Sequence, residues 1–380
     1  MKELIKIKLF KTTHRSLSIQ YYSIMSSDSS MRWNINEHQH LQLPHPDHPE
    51  EGHTTVVYGV RLQGDHLVSI SADKTARIWD LRTQRLLHPP LVGHTGSITA
   101  VQFDAAADVI ITGDTNGNVM VWRFSTGEAI ETIAKTHHET VLSMHLDTRY
   151  LVTGGKDGKI KLWNRRSLDI NSPDVPEFAV QPAEGDQYQE YSLLATLEGH
   201  SAPVNALKLR DNFLVSGCGD STMCLWSLQT GKILHKVNIH QQGIVCLQYN
   251  GRFIVSGSSD KSARIYDVEQ KVEVACLRGH TNLIRSIRAI FDDDNGGEVK
   301  KVISGSYDGS VRVWEPVPGS REWRTQYMFH LGGFHEAYGD SRTDGEANRR
   351  IFSIDFDANR FVCAGQGPFI RFWDLRSPSK

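Results

Sequence analysis

Apolar and polar residues alternate along most of this chain in short runs that predict β-strands. Residues 55–62 (TVVYGVRL), 66–73 (HLVSISAD) and 74–81 (KTARIWDL) show the pattern first. Each run alternates or stays apolar and is broken by Gly, Asp or Lys, as half-buried and buried strands are. A fourth strand is expected within residues 85–94 (RLLHPPLVGH), which lead into a Gly-His pair. The pattern therefore predicts a unit of four antiparallel strands.

This unit recurs along the chain, and the third strand of each copy carries an aromatic residue. The repeat aromatics are Trp79, Trp122, Trp163, Trp226, Tyr266, Trp314 and Trp373. Asp follows Trp79, Tyr266 and Trp373, and Glu follows Trp314. A period of roughly 40 residues with Gly-His and Trp-Asp marks is typical of WD repeats, each of which forms one blade of a β-propeller. The sequence therefore predicts an all-β fold over residues 30–380, a seven-bladed β-propeller of four-stranded blades.

The last blade of this propeller lacks a fourth strand. The later blades are expected at residues 97–133, 141–197, 204–237, 244–277, 284–329 and 351–375. Only residues 376–380 follow the last of them. Because an unpaired strand edge is an aggregation hazard, we expect the segment around residues 33–43 to supply the missing strand and close the ring.

Three insertions interrupt the period. Residues 167–190 contain six acidic residues, three Pro and no Lys or Arg, which predicts a disordered loop between the third and fourth strands of blade 3. Residues 292–301 predict a longer turn in blade 6, and residues 332–348 separate blades 6 and 7. Loops on a rigid scaffold commonly carry partner contacts, so these insertions are candidate contact sites.

A set of polar residues repeats at fixed distances before the aromatics: a hydroxyl residue ten positions before, usually an Asp six before, and a His further upstream. The predicted members are His53, Ser69, Asp73 and Trp79 in blade 1; His94, Thr112 and Trp122 in blade 2; His137, Thr153, Asp157 and Trp163 in blade 3; His200, Ser216, Asp220 and Trp226 in blade 4; His240, Ser256, Asp260 and Tyr266 in blade 5; His280, Ser304, Asp308 and Trp314 in blade 6; and Trp373 in blade 7. Asn116 occupies the Asp position in blade 2, and Cys363 and Gly367 replace the hydroxyl and the Asp in blade 7.

Ser, His and Asp together also form the constellation of a hydrolase. An enzyme needs one such constellation, whereas this chain repeats it in most blades, so we expect a structural network instead. In that network the Asp orients the His, the His bonds the hydroxyl, and the hydroxyl reaches the indole N–H. No phosphate-binding loop, dinucleotide fingerprint or HExxH motif is present. The sequence therefore predicts no catalytic residue and no cofactor.

Composition limits the compartment and the class of ligand. The net charge of −2 gives no bulk attraction to nucleic acid or to an anionic membrane. No apolar run approaches the roughly 18 residues that span a bilayer. The five Cys lie in strand-like segments without CxxC spacing, which favours reduced thiols in the cytoplasm or nucleus.

The N-terminal residues differ from the rest. The first 25 carry five Lys or Arg and one acid, so residues 1–29 are interpreted as a leader, either disordered or an organelle transit peptide. Residues 37–53 contain five His, which could form a metal cluster or a loop stiffened by Pro. We favour the loop and predict no metal, because no Cys lies near and the prolines keep the segment extended.

Two positions in each blade are expected at the mouth of the central channel: the start of the first strand and the residue before the turn Asp. In blades 6, 7 and 1 these positions hold Arg285, Tyr307, Arg350, Phe352 and Tyr58, and blade 3 adds Lys156 across the channel. Arg beside aromatics suits an acidic or phosphorylated peptide, because Arg makes bidentate bonds to phosphate or carboxylate. The alternative is that these are ordinary solvated side chains.

Several stretches resemble the fungal F-box/WD-repeat proteins, which are substrate receptors of cullin–RING ubiquitin ligases. They are LPHPDHPEEGHT (43–54), PPLVGHTGSITAVQFD (89–104), VMVWRFSTGE (119–128), LATLEGHSAPVNAL (194–207), IVSGSSDKSARIYD (254–267) and VACLRGHTNLIRSI (274–287). The resemblance implies that the propeller binds a degron, often phosphorylated, and that Arg285 and Lys156 stand where such receptors place basic degron-binding residues.

The same resemblance implies an N-terminal F-box, a helical module that docks to the ligase core. Residues 1–36 carry no such pattern. We therefore expect either that the chain lacks the front of a longer protein or that the propeller acts as an adaptor without ligase recruitment.

These observations predict a non-catalytic protein-interaction propeller. The leading hypothesis is a substrate-recognition subunit of an SCF-type ubiquitin ligase that binds acidic or phosphorylated peptides, with ligase subunits as partners if an F-box lies upstream. The alternative is a general WD-repeat scaffold that assembles a signalling or RNA-processing complex. Nucleic acid and membranes are not expected partners.

Overall fold

Seven antiparallel sheets form a closed ring in the computed structural model, which describes residues 40–182, 185–292, 296–330 and 350–375. Each sheet is one blade. The first strands of neighbouring blades contact one another all the way round, and the last of these contacts joins blade 7 to blade 1. The predicted leader (1–29) and the insertion at 332–348 lie outside the described residues.

The strands of blades 1 to 3 follow one another in space as they do in the sequence. Blade 1 contains β2 (Val57–Gln63), β3 (His66–Ser71), β4 (Thr75–Asp80) and a fourth strand in two pieces, β5 (Arg85–Leu86) and β6 (Leu91–Val92). Blade 2 contains β7 (Ile98–Asp104), β8 (Val109–Asp114), β9 (Val119–Arg123) and β10 (Ala129–Ile133). Blade 3 contains β11 (Val141–Leu146), β12 (Tyr150–Gly155), β13 (Ile160–Asn164) and β16 (Leu193–Leu197), with a small hairpin of β14 (Leu168–Asp169) and β15 (Gln187–Tyr188) before its last strand.

Blades 4 to 7 keep the same order. Blade 4 contains β17 (Val204–Arg210), β18 (Phe213–Cys218), β19 (Thr222–Ser227) and β20 (Ile233–Asn238). Blade 5 contains β21 (Ile244–Tyr249), β22 (Phe253–Ser258), β23 (Ser262–Asp267) and β24 (Val272–Arg278). Blade 6 contains β25 (Ile284–Asp292), β26 (Glu298–Ser306), β27 (Ser310–Pro316) and β28 (Trp323–His330). Blade 7 contains β29 (Ile351–Phe356), β30 (Arg360–Gly365) and β31 (Ile370–Asp374).

The N-terminal segment supplies the fourth strand of blade 7, as the sequence predicted. Strand β1 (His40–Leu43) runs antiparallel to β31, with Leu43 opposite Ile370. The Leu43 side chain is fully buried among residues of blades 7 and 1. A short 3-10 helix (Pro49–Glu51) then leads into blade 1. The two ends of the chain therefore close the ring together.

The core is divided among the seven interfaces between blades. Seven apolar clusters each combine residues of two neighbouring blades. Each cluster also contains one of the seven repeat aromatics. The repeat aromatic therefore packs against the preceding blade, and this packing explains why it recurs once per unit.

Three details of the insertions and turns differ from the expectations. The fourth strand of blade 1 is split because Pro89 and Pro90 have no N–H to donate to β4. The insertion in blade 6 lengthens the strands as well as the turn, since Asp292 pairs with Glu298. The prediction of disorder for 167–190 is wrong for its described part, where Ile170, Val175 and Phe178 pack on the apolar cluster between blades 3 and 4.

All five Cys are free thiols. Among the described residues, no helix is long and apolar enough to cross a membrane.

Candidate functional site

Every first strand carries a β-bulge at its second residue, and this bulge builds the mouth of the channel. The register shifts at the same place in all seven blades. The bulged residues are Tyr58, Thr99, Leu142, Asn205, Val245, Arg285 and Phe352. A bulged residue has no ladder partner, so its side chain can be redirected, here toward the channel that all seven residues line.

The structure brings four of the six predicted rim residues into one cluster, which we call the rim cluster: Tyr58, Tyr307, Arg350 and Phe352. The Phe352 ring packs edge-on against Tyr58, with ring centres 5.6 Å apart, and against Tyr307, at 5.1 Å. The Arg350 guanidinium lies 5.2 Å from the centre of the Tyr307 ring, in cation–π geometry. Three blades thus contribute to one aromatic surface with a cation beside it.

The other two predicted rim residues lie apart from this cluster. Arg285 lines the channel cavity together with Tyr58 and Phe352. Lys156 is instead exposed and forms an ion pair with Glu139, with Nζ 2.8 Å from the carboxylate. Among the described residues Lys156 does not line the cavity. Its charge is therefore largely neutralised at the surface.

The repeated polar residues form a chain of hydrogen bonds in most blades. In blade 6 the Trp314 indole N–H donates to Ser304 Oγ at 2.8 Å. His280 Nε2 lies 2.8 Å from the same hydroxyl, and His280 Nδ1 lies 2.8 Å from the Asp308 carboxylate. The equivalent bonds in blades 1 and 3 join His53, Ser69, Asp73 and Trp79, and His137, Thr153, Asp157 and Trp163.

Blade 2 uses a different acid from the one that counting back from the aromatic indicates. Asn116 occupies the predicted position, but His94 Nδ1 bonds the carboxylate of Asp114, 3.0 Å away. His94 Nε2 reaches Thr112 at 2.6 Å, and the Trp122 N–H donates to the same hydroxyl. Asn116 lies at the exposed turn and donates to Thr95.

Blades 5 and 7 lack parts of the network. His240 bonds Ser256 and Asp260, but the Tyr266 hydroxyl pairs with His235 at 2.7 Å and not with Ser256. The phenol reaches beyond the position of an indole N–H, so Tyr266 does not complete the chain. In blade 7, Trp373 lies beside Cys363 in an apolar cluster with Phe361 and Phe329.

Blade 4 gathers three potential metal ligands within 4.8 Å, namely His200, Cys218 and Asp220. His200 Nε2 is 2.7 Å from Ser216, to which the Trp226 N–H also donates, and His200 Nδ1 is 3.5 Å from Asp220. The Cys218 thiol donates to the Ala202 carbonyl, and burial raises the pKa of this thiol to about 12. Because metals bind the thiolate, this protonated thiol is a poor ligand.

The network fixes the charge states of its members. Burial lowers the pKa of His53, His137 and His200, which favours the neutral imidazole. Burial alone would raise the pKa of Asp308, but hydrogen bonds from His280 and Ser310 hold it well below its usual range. An ionised carboxylate only accepts, so His280 donates from Nδ1 to Asp308.

This bonding has the connectivity of a Ser-His-Asp triad, yet the hydroxyls cannot meet a substrate. Those of the six blades are Ser69, Thr112, Thr153, Ser216, Ser256 and Ser304, and all are 0% exposed. In five of these blades an indole N–H already occupies the hydroxyl oxygen. The arrangement can therefore hold a blade together but cannot attack an external carbonyl.

Polar side chains also bridge neighbouring blades along the channel, which the sequence analysis missed. Inter-blade bonds occur on or near the first strands at every interface, and they include those of Gln63, Thr99, Ser143, Asn205, Cys246, Ser286 and Ser353. Thr99 Oγ1, for example, donates to the Val141 carbonyl at 2.6 Å. Apart from Gln63, which ends β2, these are small or polar residues at the second or third position of the first strands, and that position was the available signal.

Comparison with known families decides which class this ring belongs to. Six segments match the family described as WD domain, G-beta repeat: residues 47–80, 85–123, 129–164, 191–227, 231–267 and 271–315. Together they make up more than half of the 380 residues. This chain belongs to the WD-repeat family. As a WD-repeat propeller, it is a protein-interaction domain.

WD-repeat proteins of different kinds resemble the chain at low identity. It is 23% identical to nuclear distribution protein nudF of Aspergillus niger, over 72% of this chain and 65% of that protein. It is 25% identical to cell division control protein 4 of Saccharomyces cerevisiae, over 72% of this chain and 37% of the relative. It is 22% identical to p21-activated protein kinase-interacting protein 1-like of Danio rerio, over 71% of this chain and 66% of that protein. The chain thus spans less than two thirds of the length of each relative.

Two solved structures share the fold. The WD40 β-propeller domain of Doa1 superposes with a TM-score of 0.65 at 20% identity, over 87% of this chain and 95% of that domain. The computationally designed Ika8 protein superposes with a TM-score of 0.58 at 23% identity, over 85% and 98%. At these identities the likeness establishes the propeller architecture alone.

Proposed function

We propose that this WD-repeat propeller binds acidic or phosphorylated peptide segments at the channel mouth formed by blades 6, 7 and 1. The observation that carries the proposal is the rim cluster, in which Arg350 stacks on Tyr307 and Phe352 joins Tyr307 to Tyr58. Arg285 adds a second guanidinium at the bulged position of blade 6. Neither Arg forms an ion pair within the part of the chain that the structure describes.

The chemistry of the rim cluster fits an anionic peptide. A guanidinium that stacks on an aromatic ring keeps its N–H donors in a fixed plane, which suits bidentate bonds to phosphate or carboxylate. The three rings offer a rigid apolar surface for a neighbouring side chain of the peptide, as interface anchors do. Arg350 is exposed, whereas Tyr307 and Phe352 are half-buried. The guanidinium is therefore accessible to a ligand, while the rings beneath it are held by packing.

The finer part of the proposal is the role of substrate-recognition subunit in an SCF-type ubiquitin ligase. It is supported by the resemblance to F-box/WD-repeat proteins and by the match to cell division control protein 4. Residues 1–36 carry no F-box pattern, so the proposal concerns substrate binding. Docking to ligase subunits would require an F-box.

The test is a binding assay with an immobilised pool of degenerate phosphothreonine peptides and its unphosphorylated counterpart. The wild-type chain should bind the phosphorylated pool, and the double variant Arg285→Glu, Arg350→Glu should lose this binding because two cations become anions. The matched control is Lys156→Glu, which reverses an exposed charge outside the rim cluster and should bind as the wild type does. Unaltered binding by the double variant would contradict the assignment of the site.

A scaffold that assembles a signalling or RNA-processing complex is the second candidate. It is favoured by exposed apolar side chains on the outer strands, where Leu234 is 51%, Val274 43% and Met328 46% exposed. Exposed aliphatic side chains on edge strands offer contact area for other proteins. Co-purification of a stable complex without ligase subunits would favour this candidate, and recovery of ligase subunits would favour the first.

A further inference from the structure

The fifth residue of each first strand forms a second, deeper layer of the channel. This layer, which we call the channel ring, consists of Arg61, Gln102, His145, Lys208, Gln248, Arg288 and Asp355. Tyr58 of the rim cluster and Arg61 are three residues apart on β2, which is about 10 Å along an extended strand. The channel ring therefore lies below the proposed peptide site.

Several members of the channel ring bond to the backbone of the next blade. Gln102 Nε2 donates to the Met144 carbonyl at 2.6 Å, and Gln248 Nε2 donates to the Ile287 carbonyl at 3.2 Å. His145 Nδ1 accepts from the Leu209 N–H at 3.2 Å, so the neutral imidazole carries its proton on Nε2. These three residues are uncharged, so the charged members of the channel ring are Arg61, Lys208, Arg288 and Asp355.

The single carboxylate of the ring is already occupied. Asp355 accepts from Arg288 Nε at 2.8 Å and from the Leu62 N–H at 3.1 Å. The charges of Arg288 and Arg61 also act on this carboxyl and hold its pKa below the usual value against the effect of burial. Within the channel ring, one carboxylate therefore stands beside two guanidinium groups.

Lys208 adds to this excess of positive charge. Among the described residues, Lys208 Nζ makes no hydrogen bond and no ion pair. Burial, followed by the nearby charges of Arg288 and Arg61, lowers the pKa of Lys208 well below its usual value, and Asp355 opposes the effect. Burial also lowers the pKa of His145, and the charges of Lys208, Arg61 and Arg288 add to this effect. An ammonium group held among cations without a partner is a costly arrangement unless an anion joins it.

Lys208, Arg61 and Arg288 line the channel cavity, which has a volume of about 110 Å³ and is also lined by Tyr58, Arg285 and Phe352 of the rim. This is room for several water molecules or for one compact anion. Gln102 lines the same cavity and has a second amide hydrogen besides the one donated to Met144. Donors from four blades thus surround a single volume.

We propose that the channel ring binds one compact oxyanion, such as free inorganic phosphate, between Lys208 Nζ and the guanidinium groups of Arg61 and Arg288. The site goes beyond the peptide site, since none of these three residues belongs to the rim cluster. A bound anion supplies the partner that Lys208 lacks and reduces the repulsion between the cations. It also stabilises the protonated lysine, so binding is coupled to proton uptake when the lysine is neutral beforehand.

The test is calorimetric titration of the full chain with inorganic phosphate at low ionic strength. Saturable binding of one phosphate per chain is expected. Lys208→Met should weaken it by about tenfold or more, since a charge-assisted contact is lost from a partly buried site. The matched control Lys156→Met removes an exposed lysine outside the cavity and should leave the affinity unchanged.

A pH series separates a direct contact from a purely structural role of Lys208. Phosphate affinity of the wild type should fall as pH rises through the lowered pKa of Lys208, while Asp355, Arg61 and Arg288 keep their charge and His145 is neutral. Lys208→Arg should keep the binding and lose this part of the pH dependence, because the guanidinium stays charged. The Arg variant also keeps the test decisive if Lys208→Met folds poorly.

Two outcomes would overturn the proposal. One is the absence of saturable phosphate binding by the wild type, and the other is an unchanged affinity in folded Lys208→Met. A third arm uses the phosphothreonine peptide pool: if the pool alone binds in a Lys208-dependent manner, the anion belongs to a peptide that enters the channel and the free-anion site is wrong. Failure of the peptide assay with intact phosphate binding would leave this site standing.

Discussion

At the scale of single residues, a carboxylate in each of blades 1 to 6 lies beside Nδ1 of the repeat His and orients its ring. In blade 2 this carboxylate is Asp114, which is fully buried and accepts from His94 Nδ1 and from the backbone N–H groups of Asn116 and Asn118. Burial opposes ionisation, but the hydrogen bonds, first that of His94, lower the pKa of Asp114 to about 2. The ionised state is therefore maintained well below neutral pH.

Asp114→Ala should destabilise the protein by about 1–3 kcal/mol, because His94 Nδ1–H and two backbone N–H groups lose a buried acceptor. Asn116→Ala in the same turn should cost less than about 0.5 kcal/mol, since its side chain bonds only at the surface. Urea unfolding followed by tryptophan fluorescence measures both. Equal shifts of the two midpoints, or a larger shift for Asn116→Ala, would contradict the assignment of Asp114 as the network acid.

The residue scale also shows what the sequence could and could not indicate about the sites. The hydroxyl residue lies ten positions before the Trp because both side chains project toward the same interface from paired strands, so counting finds it reliably. The acid can sit on either side of the turn, at Asp114 or at the position of Asn116, and counting then fails. The residues of the rim cluster were visible as positions at the start of the first strands and before the turn Asp, whereas their contacts depend on how three blades meet.

At the scale of elements, the insertion in blade 3 shows that acidic composition does not exclude packing. Its described residues form the hairpin of β14 and β15, and the Val180 N–H donates to the Leu194 carbonyl at 2.7 Å. Phe178 lies over Gly231, where a side chain would collide with its ring. A few apolar residues spaced among acids and prolines were enough to attach the segment, and their contacts are made with the next blade, which no local pattern reveals.

Phe178→Ala should detach this insertion without unfolding the propeller. The ring covers the cluster between blades 3 and 4 from outside, so its loss removes apolar contact from the insertion while the blades keep theirs. Hydrogen exchange should show faster exchange in residues 170–182 and little change in the blades. Val180→Ala is the matched control, because this side chain is about half exposed and only its backbone is bonded. Unchanged exchange in Phe178→Ala would mean that the packing does not hold the segment.

At the scale of the whole molecule, the ring depends on contacts between residues far apart in the chain. Strand β1 could be predicted because blade 7 has no fourth strand of its own, and an open ring would leave an unpaired strand edge. The inter-blade bonds could not be predicted this way, because they involve side chains whose partners are defined only once neighbouring blades stand side by side. Val60 of blade 1, for instance, bonds Ser353 of blade 7, 293 residues away.

Leu43→Ala tests whether the closing strand supports the whole ring. Leu43 is fully buried where blades 7 and 1 meet, against Val362 and Phe372 among others, so its truncation should cost about 2–5 kcal/mol. Gln42→Ala is the matched control, because Gln42 projects to the opposite side of β1 and is only half-buried. Because every blade packs on two neighbours, the loss should lower the midpoint of one cooperative transition rather than create a separate early one. Equal unfolding midpoints for the two variants would show that the ring does not depend on the burial of Leu43. The pairing of β1 with β31 would then be a result of ring closure and not its cause.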